Sequence, residues 1–170
     1  MSKLKPVFLI GFMGSGKTTW GRKLATKTGR AFIDLDEVIV NRIGMPIADY
    51  FLQHGESAFR QIESETLKNL PLAEPAIVST GGGTPCYFDN MEWMNNTGTT
   101  IYFHLPPKAL WDRLIQTDIA SRPALKGLSG QALLADITSK LADRAPYYEQ
   151  ATHVVNQLSL QLDELTTLIG

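Results

Sequence analysis

The stretch Gly11-Phe12-Met13-Gly14-Ser15-Gly16-Lys17-Thr18 constrains this chain more than any other. It reads G-x-x-x-x-G-K-T, the pattern of a loop that cradles phosphates, and it has meaning only between a strand and a helix. Val7 to Ile10 upstream is a short apolar run suited to a buried strand. Thr19 to Lys27 downstream has helical composition, with Leu24 and Ala25 on one side and Arg22 and Lys23 open to solvent. Glycines let successive N–H groups turn inward toward a phosphate. The helix that follows adds unpaired N–H donors and the positive end of its dipole. Lys17 can then reach the β- and γ-phosphates of a nucleotide, and the Thr18 hydroxyl can ligate Mg²⁺. Gly14, Ser15, Gly16 and Thr19 complete the expected nucleotide-binding set. A glycine-rich turn that binds nothing is the alternative, and the flanking strand and helix weigh against it.

The totals decide what surrounds this loop. With 170 residues the chain is expected to form one domain, residues 1–170, large enough to bury a core. Its formal net charge of -1 offers no electrostatic footprint for nucleic acid or an anionic membrane. Any positive charge that matters must be gathered into a site. Cys86 is the single cysteine, which excludes an internal disulfide and a Cys-based zinc site and fits a reducing, cytoplasmic setting. Lys3, Lys5 and the run from Val7 to Met13 imitate a signal peptide. Gly11 interrupts that run, Lys17 ends it, and no small-residue cleavage site follows. No apolar run approaches the roughly 20 residues a membrane span needs.

Strands and helices then alternate. Ala31 to Ile33 reads as a second strand ending at Asp34-Leu35-Asp36, where Asp34 and Glu37 match a helix capping box. Capping explains one carboxylate. Two at the carboxyl edge of a strand, beside a phosphate loop, also suit a metal-bound water and a proton acceptor. A helix closing at Gly44 follows, then one opening at Pro46 that Gly55 divides from a longer helix to about Leu70. Arg60 and Glu63 are neighbours on its surface. They form either a surface ion pair or an arginine aimed at an anionic substrate and oriented by Glu63. Ala76 to Thr80 is a third strand running into Gly81-Gly82-Gly83, where close backbone approach to a ligand is favoured over a simple tight turn. Helices are expected over 88–95 and 108–115, a fourth strand over 99–105, and a long helix over 129–149 that Pro146 kinks or ends early. A fifth strand at 153–155 precedes a closing helix over 158–169. Between them, 116–123 is polar and reads as either a mobile flap carrying Arg122 or a plain solvated loop. His54, His104 and His153 lack metal-ligand spacing, and Trp20, Trp93 and Trp111 read as packing residues. The pattern is α/β, a three-layer domain on a parallel sheet.

Taken together, the phosphate loop, Asp34-x-Asp36, Gly55-Glu56-x-x-Phe59-Arg60-x-x-Glu63, Gly81-Gly82-Gly83, Arg122-Pro123 and Arg144-x-x-Tyr147-Tyr148 resemble the shikimate kinases in order and spacing, over about residues 7–151. The resemblance implies the P-loop kinase fold of the nucleoside monophosphate kinases, with a five-stranded parallel sheet in the order 2-3-1-4-5. It implies a lid over about 114–125 and a shikimate-binding helical segment over about 34–63. ATP is the implied co-substrate, with Mg²⁺ held by Thr18 and, through water, Asp34. Asp36 is implied as the contact to the shikimate hydroxyls and the base. Arg60 and Arg144 would grip the carboxylate, and the backbone of Gly81, Gly82 and Gly83 would line the ring. Arg122 would descend from the lid onto the phosphates, making Lys17, Asp36 and Arg122 the catalytic set, and Arg113 would lie against adenine. The chain departs from the family at Ala124, Val40 and Asp143. Shikimate and ATP are the expected partners of a monomer, with no nucleic acid and no membrane.

Two other readings fit parts of the sequence. A kinase of the same fold acting on gluconate or a nucleoside monophosphate would also use Arg60 and Arg144. A nucleotide-dependent switch without a small acceptor would keep the phosphate loop, but the chain has no Asn-Lys-x-Asp guanine signature.

Overall fold

Four apolar residues on the central strand organise the molecule. A computed structural model describes residues 3–116 and 130–170. β1 (Val7–Ile10) lies between β3 (Ala76–Ser79) and β4 (Thr99–His104), parallel to both. β2 (Ala31–Asp34) and β5 (His153–Asn156) extend the sheet at its edges, so its order is β2-β3-β1-β4-β5 and every pairing is parallel. This matches the sheet that the resemblance implied.

Side chains alternate across a strand, so β1 feeds two cores. Val7 and Leu9 pack with Leu24 and Ala25 of α1 (Lys17–Thr28) and Leu165 of α7 (Leu162–Ile169). Phe8 and Ile10 face the other layer, which holds α2 (Leu35–Ile43), α3 (Ile47–Lys68), α4 (Asn90–Thr97), α5 (Pro107–Leu114) and α6 (Gly130–Tyr148). Phe8 is fully buried and meets Trp93 edge-on, with ring centroids 5.8 Å apart.

Local chemistry sets the boundaries. Asp34 caps α2 by accepting a hydrogen bond from the Asp36 N–H at 3.0 Å. The full capping box does not form, because Glu37 turns to Arg22 at 3.4 Å instead. Gly55 breaks the helical path inside α3 (φ 83°, ψ 172°), as its position in the sequence suggested. Pro146 neither ends nor shortens α6; it sits in the last turns, and the helix continues to Tyr148. The closing segment begins as a 3₁₀ turn at Gln157–Ser159, so α7 starts later than expected. The expected flap, with Arg122, lies outside the described residues.

One buried hydroxyl ties three elements together. Thr100 is fully buried, donates to Asn95 Oδ1 at 2.6 Å and accepts from the Thr152 N–H at 2.8 Å. Thr100→Val keeps the shape but leaves both partners unsatisfied, so it is expected to destabilise the fold by about 1–3 kcal/mol. Urea unfolding of the variant beside the parent chain measures this directly.

Candidate active site

The carboxyl ends of the strands gather almost every residue that the sequence singled out. The phosphate loop leaves β1 and returns as α1, whose N-cap is Gly16 at φ 87°. That left-handed turn, and a Cβ position only 2.9 Å from Gln157 Nε2, leave no room for a side chain. Lys17 is buried within the loop, donating to the carbonyls of Gly11 at 2.6 Å and Phe12 at 2.9 Å, with Ser15 Oγ at 3.4 Å. Beside the loop lies a cavity of about 360 Å³ lined by Gly14, Gly16, Lys17, Thr18, Thr19 and Arg113 and, across from them, by Asp34, Asp36, Gly81 and Gly82. Arg113 is held there by Gln157, which accepts from its Nη2 at 2.9 Å.

Thr18, Asp34 and Ser79 meet on one wall. The Thr18 hydroxyl is 3.5 Å from Asp34 Oδ2 and 3.3 Å from Ser79 Oγ. These are hard oxygen donors of the kind Mg²⁺ accepts. No group of three or more His, Cys, Asp or Glu side chains suited to a metal occurs among the described residues. A magnesium ion here would therefore take most of its shell from water and phosphate, which is its habit in nucleotide sites.

The arginines occupy a second cavity, of about 630 Å³, with Phe51, Glu56, Cys86, Tyr87 and Tyr147. The glycine run lies between the two cavities. A Cβ on Gly81 would sit 3.3 Å from Asp36 Oδ1, and one on Gly82 would sit 3.2 Å from Arg144 Nη1. One on Gly83 would fall 2.5 Å from Arg60 Nη1. The three glycines thus bring Asp36, Arg144 and Arg60 onto one strip of bare backbone, although Asp36 opens to the first cavity and both arginines to the second.

Arg60 and Glu63 are not a surface pair. Both are buried, and Arg60 Nη1 donates to Glu63 at 3.0 Å. Glu63 also accepts from Thr84 Oγ1 at 2.9 Å. Burial pushes the Glu63 carboxyl up against the pull of Arg60 and Thr84. Burial opposes the Arg60 charge too, but Glu63, Tyr87 and Glu56 together outweigh it and the net direction is upward. Among the described residues, two buried donors have no partner, Arg60 Nε and Arg144 Nη1. Orphaned buried donors of charged groups are expensive, a cost that an added acceptor would relieve. The Arg144 guanidinium lies 5.3 Å from the Phe12 ring centroid, which links this cavity to the phosphate loop. Burial pushes the Cys86 thiol up to about 11, which disfavours the thiolate form a nucleophile needs.

Several contributors gave little signal in the sequence. Tyr148 is fully buried and donates to the Gly82 carbonyl, whereas Tyr147 is exposed. Ser79 and Gln157 matter only because the sheet order sets their strand ends beside the loop. Arg122 lies outside the described residues.

Similarity to known proteins points to one family. A family model described as shikimate kinase matches residues 13–169. A shikimate kinase of Parabacteroides distasonis is 46% identical over 149 residues, covering 88% of this chain and 86% of its own length. The crystal structure of a shikimate kinase from Bacteroides thetaiotaomicron superposes with a TM-score of 0.90 at 37% identity, covering 97% of this chain and 98% of that one. A shikimate kinase from Acinetobacter baumannii, solved in complex with shikimate, has a TM-score of 0.87 at 29% identity, covering 98% and 93% of the two chains.

Proposed function

The chain belongs to the shikimate kinase family, and we propose that it transfers the γ-phosphoryl group of ATP to the 3-hydroxyl of shikimate, giving shikimate 3-phosphate and ADP. The observation that carries this reading is the pair of buried, unpartnered guanidinium donors on Arg60 and Arg144, one glycine strip away from a phosphate loop. A ring carboxylate satisfies both donors, and planar guanidinium groups suit a carboxylate.

Each residue then has a role. Arg60 and Arg144 hold the carboxylate, and the side-chain-free backbone of Gly81, Gly82 and Gly83 lets the ring lie close. Asp36 accepts a hydrogen bond from the 3-hydroxyl and takes its proton as that oxygen attacks the γ-phosphorus. The bond from the γ-phosphorus to the β,γ-bridging oxygen breaks, and ADP leaves with that oxygen. Lys17 exchanges its contacts with the Gly11 and Phe12 carbonyls for the phosphates, and backbone N–H groups from Gly14 to Thr19 cradle them. Thr18 and Asp34 would hold Mg²⁺, which when bound neutralises charge on the β- and γ-phosphates. Arg113 borders the nucleotide cavity and is assigned to adenine. Arg122, on a lid over about 114–125 within a single domain, is assigned to the γ-phosphate on sequence alone. Positioning and charge stabilisation carry most of such a reaction.

No helix among the described residues is long and apolar enough to cross a membrane. We assign a monomer in the cytoplasm, the reducing setting that the single cysteine fits. A coupled assay of ADP formation with ATP and Mg²⁺ tests the reading. Turnover should require shikimate and fail with gluconate or nucleoside monophosphates. ADP release indifferent to every small acceptor would overturn it in favour of a nucleotide switch.

A further inference from the structure

Arg60 is held from two sides by a single short segment. Its Nη1 donates to Glu63 and its Nη2 to Glu56, the latter at 3.4 Å. Residues 84–87 touch both of those carboxylates. Thr84 Oγ1 donates to Glu63 Oε2 at 2.9 Å, and Tyr87 Oη donates to Glu56 Oε1 at 2.9 Å. The Tyr87 ring also lies 4.3 Å from the Arg60 guanidinium carbon, within cation–π range. The segment itself is fixed, because buried Asn90 donates to the Thr84 carbonyl at 2.9 Å and accepts from Ser64 at 2.6 Å. Phe88 then bends the chain at φ 50°, among the described residues the one non-glycine position with positive φ, and its own ring is exposed. Backbone strain of that kind persists where surroundings over-determine it. Here it ends the segment that brings Tyr87 against Arg60.

We propose that Tyr87 is a positioning residue: with Glu56 it holds the Arg60 guanidinium so that the unpaired Nε–H stays presented to the acid, and so sets shikimate affinity. An arginine side chain gives up much rotamer freedom when its guanidinium is held in one place. Glu63 fixes one end of the guanidinium. The other end leans on Glu56, a half-exposed carboxylate whose contact is long. Tyr87 stiffens that weaker arm through both its hydroxyl and its ring, and does so without being an anion receptor itself. Burial raises the phenol from its ordinary value and the bond to Glu56 adds to that, so the hydroxyl remains a donor.

The inference rests on the assignment of Arg60 to the shikimate carboxylate, and the test separates the two. Steady-state kinetics are measured for Tyr87→Ala, Tyr87→Leu, Tyr87→Phe and Arg60→Lys, with thermal unfolding of each. Tyr87→Ala and Tyr87→Leu should raise KM for shikimate roughly tenfold, the effect of losing one desolvated cation–π contact with its hydrogen bond, about 1.4 kcal/mol. Tyr87→Phe keeps the ring and should stay within about threefold of the parent. KM for ATP should not move in any of the three. Rescue by Phe but not by Leu, which fills similar space, distinguishes positioning from packing. Wild-type shikimate KM in Tyr87→Ala and Tyr87→Leu, together with a raised value in Arg60→Lys, would overturn the role of Tyr87 alone. Equal rises in KM for both substrates would overturn it too, by showing general loosening. An unchanged shikimate KM in Arg60→Lys would overturn the assignment of Arg60, and this inference with it.

Discussion

Asp36→Asn is expected to lower kcat by roughly 10²–10⁴-fold, the range that a positioned general base supplies, while KM for shikimate changes far less. The substitution keeps size and leaves an oxygen that can accept a hydrogen bond from the 3-hydroxyl. It removes the negative charge and the basicity. Asp36 stands at the first turn of α2, directly after β2, where the cap formed by Asp34 fixes the backbone. Its Oδ1 borders the Gly81 position and faces the cavity that holds Lys17 and Thr18. The acceptor oxygen would thus meet base and phosphate in one place. Loss in kcat without loss of shikimate affinity marks an interaction made in the transition state. A variant with kcat within threefold of the parent would reduce Asp36 to a binding residue and leave transfer to proceed without side-chain proton acceptance.

The sequence made the first half of this site legible and the second half only in part. A phosphate loop is local: eight consecutive residues contain the geometry, and the strand and helix around it follow from composition. Asp34 and Asp36 are legible for a similar reason, since one ends a strand and the other stands in the first turn of the helix that follows it. Arg60 and Glu63 differ. Their spacing fits a solvated helix surface as well as a buried arm, and only the packing of α3 against the glycine run decides that both are buried. Tyr148 was indistinguishable from Tyr147 in the sequence, because one residue of helical phase separates a fully buried ring from an exposed one. Gln157 and Ser79 have no local signature at all. They enter the site because parallel pairing aligns the carboxyl ends of β3, β1, β4 and β5, a property of the sheet rather than of any segment.

The same distinction between local and assembled features governs the acid-binding arm, where Arg60→Ala should weaken shikimate binding by about 2–5 kcal/mol with a smaller effect on kcat at saturation. The magnitude follows from what stays behind. Without the guanidinium, Glu63 remains buried with Thr84 as its remaining hydrogen-bond partner among the described residues, and the bound carboxylate loses the Nε–H donor. Burial already raises the Glu63 carboxyl, and the guanidinium is the principal influence opposing that. Its removal should push Glu63 further up, toward the neutral acid. Shikimate affinity in the variant should therefore fall further as pH rises through the Glu63 titration, because a second buried anion then faces the substrate carboxylate. In the parent the Arg60 guanidinium opposes the rise of the Glu63 carboxyl, so the slope should be smaller. Equilibrium binding of shikimate, followed as a function of pH, reads both effects. An affinity equal to that of the parent at every pH would remove Arg60 from the site and leave Arg144 alone to recognise the acid.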